Sequence, residues 1–285
     1  MPSLSARYSH WLALAPSLAL VGLLLGASVL YALAESFGYL TVIGERQLSF
    51  AAYRATFAAD SEFWVSLAFS LWVSISATAI AALLAFLLAV WLSSQPNQTD
   101  SLLLNINLTI PHLVFAIGVL LLLSQSGWLA RWAAVFGWID LPEQFPLLVR
   151  DRFGLGIILH YVVKEIPFLT LMLLGVLQAQ TVRYEGVAQN LGANRWQCLR
   201  YITFPQVLPA LLAGTLLVFG YIFSSYEVPA ILGVSYPRAL PVLALRYFLD
   251  PDLRARAEGM VMSLVITMLV MVVTGVSKRL EQAQG

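Results

Sequence analysis

Residues 63–92 read FWVSLAFSLWVSISATAIAALLAFLLAVWL, thirty residues without a single Asp, Glu, Lys or Arg. A spanning helix takes about 20 predominantly apolar residues, so this run exceeds what the hydrocarbon core requires. It is expected to tilt or to begin outside the bilayer. The alternation of a barrel strand is absent from it, and a lipid-exposed backbone must satisfy its own hydrogen bonds, which leaves a helix. Five more stretches pass the same test of length and charge: 11–33, 102–123, 155–177, 207–226 and 259–276. Of the six, only 155–177 carries ionisable residues of the Asp, Glu, Lys and Arg set, Lys164 and Glu165. The expected fold class is an all-α polytopic membrane protein with six transmembrane helices, forming one domain over residues 1–285.

Composition agrees with this. Of 285 residues, 60% are hydrophobic and 11% charged, and the mean hydropathy is +0.81, against roughly 45–50% and 25% for a soluble domain. A water-soluble globule is excluded. The 16 Lys and Arg against 15 Asp and Glu leave a net charge of +1, which gives no electrostatic footprint for nucleic acid or a polybasic membrane anchor. Cys198 is the only cysteine, so neither an intramolecular disulfide nor a thiolate metal cluster can form. His10, His112 and His160 stand in no His-Glu-x-x-His arrangement, and no Gly-x-Ser-x-Gly elbow occurs. A phosphate-cradling loop needs Gly directly before its Lys, but Lys164 follows Val163 and Lys278 follows Ser277. No catalytic residue, metal site or P-loop nucleotide site is therefore expected in this chain.

Six spans place both ends on one side and loops 34–62, 124–154 and 227–258 on the other. Six Lys and Arg fall on the side of the termini and nine on the opposite loops, so the positive-inside count leaves the orientation open. The first span follows Arg7 and contains Ala32-Leu33-Ala34 at its end, but it is too long for an ordinary signal-peptide core and five spans follow it. The aromatic, mixed-polarity segments 50–64, 129–139 and 240–249 are expected to form short interfacial helices.

The longest segment on the side of the termini is 178–206, QAQTVRYEGVAQNLGANRWQCLRYITFPQ. Residues 182–191 can form a short helix with Val187 and Leu191 at i and i+4 on one face, ended by Gly192 in the left-handed conformation. A second helix can run from Asn194 to about Phe204, with Pro205 tolerated in the first turn of the next span.

This pattern resembles the cytoplasmic loop of permease subunits of binding-protein-dependent ABC importers, Glu-Ala-Ala-x3-Gly-x9-Ile-x-Leu-Pro. Ala188, Gly192, Ile202 and Pro205 stand at the matching positions. The family glutamate falls on Gly186, its first alanine on Val187 and its leucine on Phe204, while Glu185 resembles the first glutamate of a doubled variant. Ile110-Pro111-His112, residues 126–131 (SGWLAR) and residues 227–233 (EVPAILG) look like the polyamine, ferric-iron, thiamine and sulfate branch of such permeases.

The resemblance implies a bacterial inner-membrane, multi-pass chain with both termini cytoplasmic and a coupling loop over 178–206. It implies Glu185, Gly186, Val187, Ala188, Leu191, Gly192, Ile202 and Pro205 as the ATPase-coupling residues. The implied partners are a cytosolic ABC ATPase dimer carrying ATP and Mg, a second permease subunit and a solute-binding protein. This chain would be non-catalytic, with no cofactor of its own.

An ionisable residue within a span is a functional hypothesis by default. Lys164 and Glu165 point about 100° apart on a helix, so each needs a separate partner. Both an interhelical bond and a path or gate role remain open for them. Tyr226 and Glu227, at the end of the fifth span, and Asn107 and His112 in the third, are further candidates for the translocation path. Gly214 and Gly220 are read as packing positions. The solute would be a small hydrophilic species, with a polyamine or other organic cation, thiamine or ferric iron ahead of an oxyanion. The alternative of a different class is an ion-coupled secondary transporter using Lys164, Glu165 or Glu227.

Overall fold

A computed structural model describes residues 4–40, 44, 47–93, 98–178 and 182–282, and their side chains from Leu14 onward except 98–103, 182, 183 and 280–282. Residues 94–97, between the expected second and third spans, and 179–181, within the expected coupling loop, lie outside the described residues. Among the described residues the fold is entirely helical. Among the described residues six helical stretches are long and apolar enough to cross a membrane: Leu14–Ser36, Glu62–Ser93, His112–Val135, Leu155–Val176, Arg195–Ser224 and Ala255–Arg279.

In order, the helices are α1 (Leu4–Ser36), α2 (Ala51–Thr56), α3 (Glu62–Ser93), α4 (Gln98–Thr109), α5 (His112–Leu123), α6 (Trp128–Val135), α7 (Leu155–Val176) and α8 (Val182–Asn190). They continue with α9 (Arg195–Cys198), α10 (Phe204–Ser224), α11 (Glu227–Leu232), α12 (Leu240–Phe248) and α13 (Ala255–Gln282). The short helices α2 and α12 fall within segments expected to lie at the interface, and α6 starts one residue before the third such segment, 129–139.

Two expectations are corrected. The third span, expected as one helix over 102–123, is interrupted: α4 ends at Thr109, Pro111 is extended at φ −60° and ψ 143°, and α5 starts at His112. Proline has no N–H to donate and disfavours the helical region for the residue before it. The second loop helix and the fifth span, expected as separate pieces around Pro205, are continuous. α9 passes through a π-helical stretch, Leu199–Thr203, directly into α10. Pro205 is the second residue of α10, directly after the π stretch, where the regular i→i−4 ladder is already interrupted.

The chain divides into two compact units, residues 1–61 with 244–265, and residues 62–243 with 266–285. In the first, Tyr31 donates a hydrogen bond to the Glu35 carboxylate, and Arg256 lies 3.7 Å from the same carboxylate and 4.4 Å from the Phe248 ring centroid. In the second, α3 packs along α7 more extensively than any other pair. Ala77, Ala81, Ala85 and Ala89 recur every fourth residue on α3 and are fully buried, the small-residue row that lets membrane helices approach closely. Without a hydrophobic driving force between helices in lipid, dispersion contacts along such rows hold the bundle together.

Polar contacts fix the ends of this second unit. Glu62 Oε1 accepts from Arg238 Nη1 at 2.9 Å, and Ser70 Oγ accepts from Leu240 N at 2.6 Å. Asp151 Oδ1 and Oδ2 accept from Leu155 N and Phe153 N, both at 2.8 Å, and so hold the start of α7. Gly154 there has φ +72°, and a Cβ on it would fall 2.9 Å from Val73 Cγ2. Both backbone conformation and space require glycine at that turn. At Gly214 of α10 a Cβ would collide with Met172 and lie 2.9 Å from Leu169 Cδ2, so α10 packs closely on α7 there.

Candidate functional site

The 182–206 loop is tied together by hydrogen bonds of its own. α8 ends in a Schellman motif: Ala193 N donates to Ala188 O and Gly192 N donates to Gln189 O, both at 2.9 Å. Gly192 has φ +91°, the left-handed value that a Cβ-bearing residue reaches at a cost of roughly 1–2 kcal/mol. Asn194 then caps α9 reciprocally, its Oδ1 accepting from Gln197 N and its N donating to Gln197 Oε1, both at 2.8 Å. Two side chains tie the layers together, because the buried Thr203 hydroxyl donates to the Glu185 carboxylate. Glu185 thus fastens α8 to the root of α10.

Three large side chains on α8 and its cap, Tyr184, Val187 and Leu191, are exposed. Their spacing of three and four residues puts them on one face. Beside that face lies a groove of about 450 Å³ lined by Ala188, Leu191, Gly192, Tyr201 and Ile202, with Ala193, Gln197 and Cys198 completing it. At Gly186, which stands where the family pattern has glutamate, a Cβ would meet open space. Pro205 is exposed behind the π stretch. The coupling residues expected from the sequence therefore lie on one short helix, its Gly turn, the adjoining π stretch and, for Pro205, the first turn of α10.

The intramembrane polar groups gather at the break in the third span. Lys164 is 2% exposed, and its Nζ donates to Asn107 O at 2.6 Å and Ile110 O at 2.8 Å. Asn107 Nδ2 donates in return to Val163 O at 3.1 Å. A cation at the C-terminal carbonyls of a helix also meets the negative end of its dipole. Glu165, one residue on, faces a different direction. Its Oε1 lies 3.8 Å from His112 Nε2, and that oxygen makes no hydrogen bond. Around His112 stand His160, with Nε2 3.4 Å from His112 Nδ1, and the Tyr221 ring, 5.1 Å away centroid to centroid. A cavity of about 260 Å³ opens between α5, α7 and α10, lined by His112, Glu165, Phe168, Leu217, Val218 and Tyr221.

Four of the path candidates, Asn107, His112, Lys164 and Glu165, are thus brought to one place. Tyr226 and Glu227 are exposed at the start of α11 and do not line this cavity, although the Glu227 carboxylate is near enough to act electrostatically on Tyr221 in its wall. Sequence reasoning missed His160, Phe168 and Tyr221. Helical spacing carried a signal for the first two: His160 and Lys164 are four apart, and Phe168 is three beyond Glu165, so each pair shares a face. Nothing local marked Tyr221. Gly220 needs no special explanation, since a Cβ there would make ordinary contact with Val270 at 3.7 Å.

Known proteins bear on these two features. The chain is 32% identical over 165 residues to the inner membrane ABC transporter permease protein YnjC of Escherichia coli K12, covering 57% of this chain and 30% of that protein. It is 30% identical over 138 residues to the sulfate transport system permease protein CysT of the same organism, covering 47% and 46%. The chain thus spans half or less of the length of these relatives. Its fold matches a chain of the bacterial alginate ABC transporter, solved in complex with an alginate-bound periplasmic protein, with TM-score 0.76 over 98% of this chain and 97% of that one at 17% identity. Residues 81–282, which hold both the 182–206 loop and the intramembrane cluster, match the family described as the binding-protein-dependent transport system inner membrane component, and the chain belongs to that family.

Proposed function

We propose that this chain is the membrane permease subunit of an ATP-driven importer of a small hydrophilic solute. The observation that carries the reading is the continuity of the loop with the fifth span. α8 is fastened through Glu185 and Thr203 to a helix that runs unbroken from Arg195 to Ser224. From Thr203 to Tyr221 this helix covers eighteen residues, about 27 Å at 1.5 Å each. A displacement of α8 by a docked ATPase is therefore delivered as a rigid-body movement to the wall of the intramembrane cavity. The exposed Tyr184, Val187 and Leu191 face supplies the apolar contact for that ATPase.

On this reading the loop and both termini face the cytosol of a bacterial cell, because only there can ATP-binding subunits reach α8. An ABC ATPase dimer binds ATP and Mg. A second permease, either another copy of this chain or a different one, completes the path, and a periplasmic or extracellular solute-binding protein delivers the solute. ATP binding shifts the balance between inward-facing and outward-facing states through contacts that differ between them. This chain contributes no hydrolytic residue. An organic cation, thiamine or ferric iron is favoured as solute by the buried Glu165 carboxylate. The similarity to CysT, which is named for sulfate transport, favours an oxyanion as the second reading.

Purification of the tagged chain in mild detergent, with mass spectrometry of what stays bound, tests the assignment. Recovery of a P-loop ATPase is expected. A folded chain that repeatedly emerges without one would remove the importer reading, and a second permease in the eluate would define a heteromeric path.

A further inference from the structure

The cavity between α5, α7 and α10 has a chemistry of its own. Polar and ionisable groups at membrane depth face a bundle interior or a water-filled space, because lipid offers them no partner. His112, Glu165 and Tyr221 open onto one surface of the bundle, so that surface faces the solute path and not lipid. Glu165 is 7% exposed, yet its Oε1 lacks a hydrogen-bond partner. Its neighbour Lys164 does not neutralise it by direct contact, since the ammonium is turned onto the Asn107 and Ile110 carbonyls. His112 Nε2 at 3.8 Å is beyond hydrogen-bond distance. A buried acceptor left in this state carries a standing desolvation cost that an incoming donor relieves.

The walls define the donor. Phe168, Leu217 and Val218 are apolar, and Tyr221 offers an aromatic face of the kind that attracts cations. A carboxylate in the wall disfavours an anion at that surface, while the opposite charge of Lys164 is held behind it on the Asn107 and Ile110 carbonyls and is absent from the cavity lining. A bare metal ion is poorly served, because among the described residues no three His, Cys, Asp or Glu side chains come together to hold one. At about 260 Å³ the cavity admits a headgroup and not a whole drug-sized molecule. We propose that this cavity is a transient site on the path for the positively charged headgroup of an organic solute, an ammonium or amidinium or aromatic iminium, with Glu165 as counter-charge and the Tyr221 and Phe168 rings as walls. The proposal rests on the permease reading and narrows its solute to organic cations.

The test uses the charge preference of the site, so the solute need not be known. Cys198 is the only cysteine, so Cys198→Ser clears the background and Leu217→Cys places one thiol in the cavity wall. In native membrane vesicles holding the assembled complex, with and without ATP and vanadate, that thiol is treated with trimethylammonium-ethyl or sulfonato-ethyl methanethiosulfonate. Rates are divided by those of a free thiol in solution. The expected result is a preference of about tenfold or more for the cationic reagent, kept in Glu165→Asp and lost in Glu165→Gln. Phe168→Cys reads the same cavity from α7 if Leu217→Cys does not fold. No preference, a preference unchanged by Glu165→Gln, or no labelling by either reagent in any nucleotide condition overturns the proposal. Co-purification of the ATPase from the same vesicles reports separately on the permease reading. ATPase present without charge preference removes the site alone, and charge preference without ATPase removes the importer assignment alone.

Discussion

The Lys164 ammonium donates at 2.6 Å to the carbonyl of Asn107, the carbonyl that Pro111, four residues on and lacking an N–H, cannot serve in a continuing helix. Ile110 N also reaches it, at a long 3.3 Å. Lys164 therefore satisfies the helix end exposed by the break, and the break and the buried lysine belong to one device. Removing the ammonium takes a charged donor from both carbonyls, and a hydrogen bond to a charged group is worth about 1.5–3 kcal/mol. Lys164→Met is expected to lower the thermal midpoint of the detergent-purified chain by several degrees, while Lys164→Arg retains most of it. Tryptophan fluorescence during heating measures this. Equal midpoints for wild type and Lys164→Met would show that the clasp contributes nothing to stability.

At Gly192 the two costs of a side chain can be separated. A Cβ meets no atom within 4 Å, while φ is +91°, so only backbone strain is at stake. Asn tolerates the left-handed region better than Ala, and a β-branched residue tolerates it least. The ATP-driven uptake supported by the complex should fall in the order Gly, Asn, Ala, Val. Ala should lie a few-fold below wild type, in line with roughly 1 kcal/mol. Substituted chains should still reach the membrane, because the strain lies in the loop. Val performing as well as Asn would sink the claim that this turn sets the angle of α8.

Gly186 lies in the middle of α8, where glycine costs roughly 0.5–1 kcal/mol relative to alanine. Its Cβ direction is open. Gly186→Ala should slow amide exchange across 182–190 by about two- to fivefold, measured by mass spectrometry. Gly186→Glu, which restores the residue of the family pattern, should be accepted without loss of ATPase binding. Loss of binding in Gly186→Glu would mean that the partner surface is shaped for the glycine.

Much of the architecture was legible because its signals are local. Thirty uncharged residues at 63–92 need no distant partner to be read as a span, and Gly192 marks a helix end from its own neighbourhood. The 100° offset of Lys164 and Glu165 likewise foretold two different partners. The interruption of the third span was written in Ile110-Pro111, but the apolar run continues on both sides of it, and composition alone does not see a missing N–H. The continuity of α9 with α10 was hidden because Pro205 signals a helix start, whereas a π stretch upstream lets the helix pass. Tyr221 could not be found at all: its position opposite His112 is decided by how α5, α7 and α10 pack.

The bond from Thr203 to Glu185 is the narrowest link between the loop and the fifth span. Thr203 is 1% exposed; without Glu185 its hydroxyl is left with the longer 3.3 Å bond to Cys198 O, and without Thr203 the half-buried Glu185 carboxylate loses this donor. Glu185→Gln should be the milder change, since an amide oxygen still accepts, and Thr203→Val the stronger, since it deletes the donor at nearly constant volume. If the bond transmits movement, the two substitutions will be non-additive in a double-mutant cycle, with a coupling of about 0.5–3 kcal/mol, read as ATP-driven uptake at equal amounts of assembled complex. The same variants should leave the ATPase bound, because the exposed Tyr184, Val187 and Leu191 face is untouched. Uptake that falls while ATPase binding persists would separate transmission from docking. Strictly additive effects would mean that α8 drives the fifth span through the covalent turn at Gly192 and not through this side-chain contact.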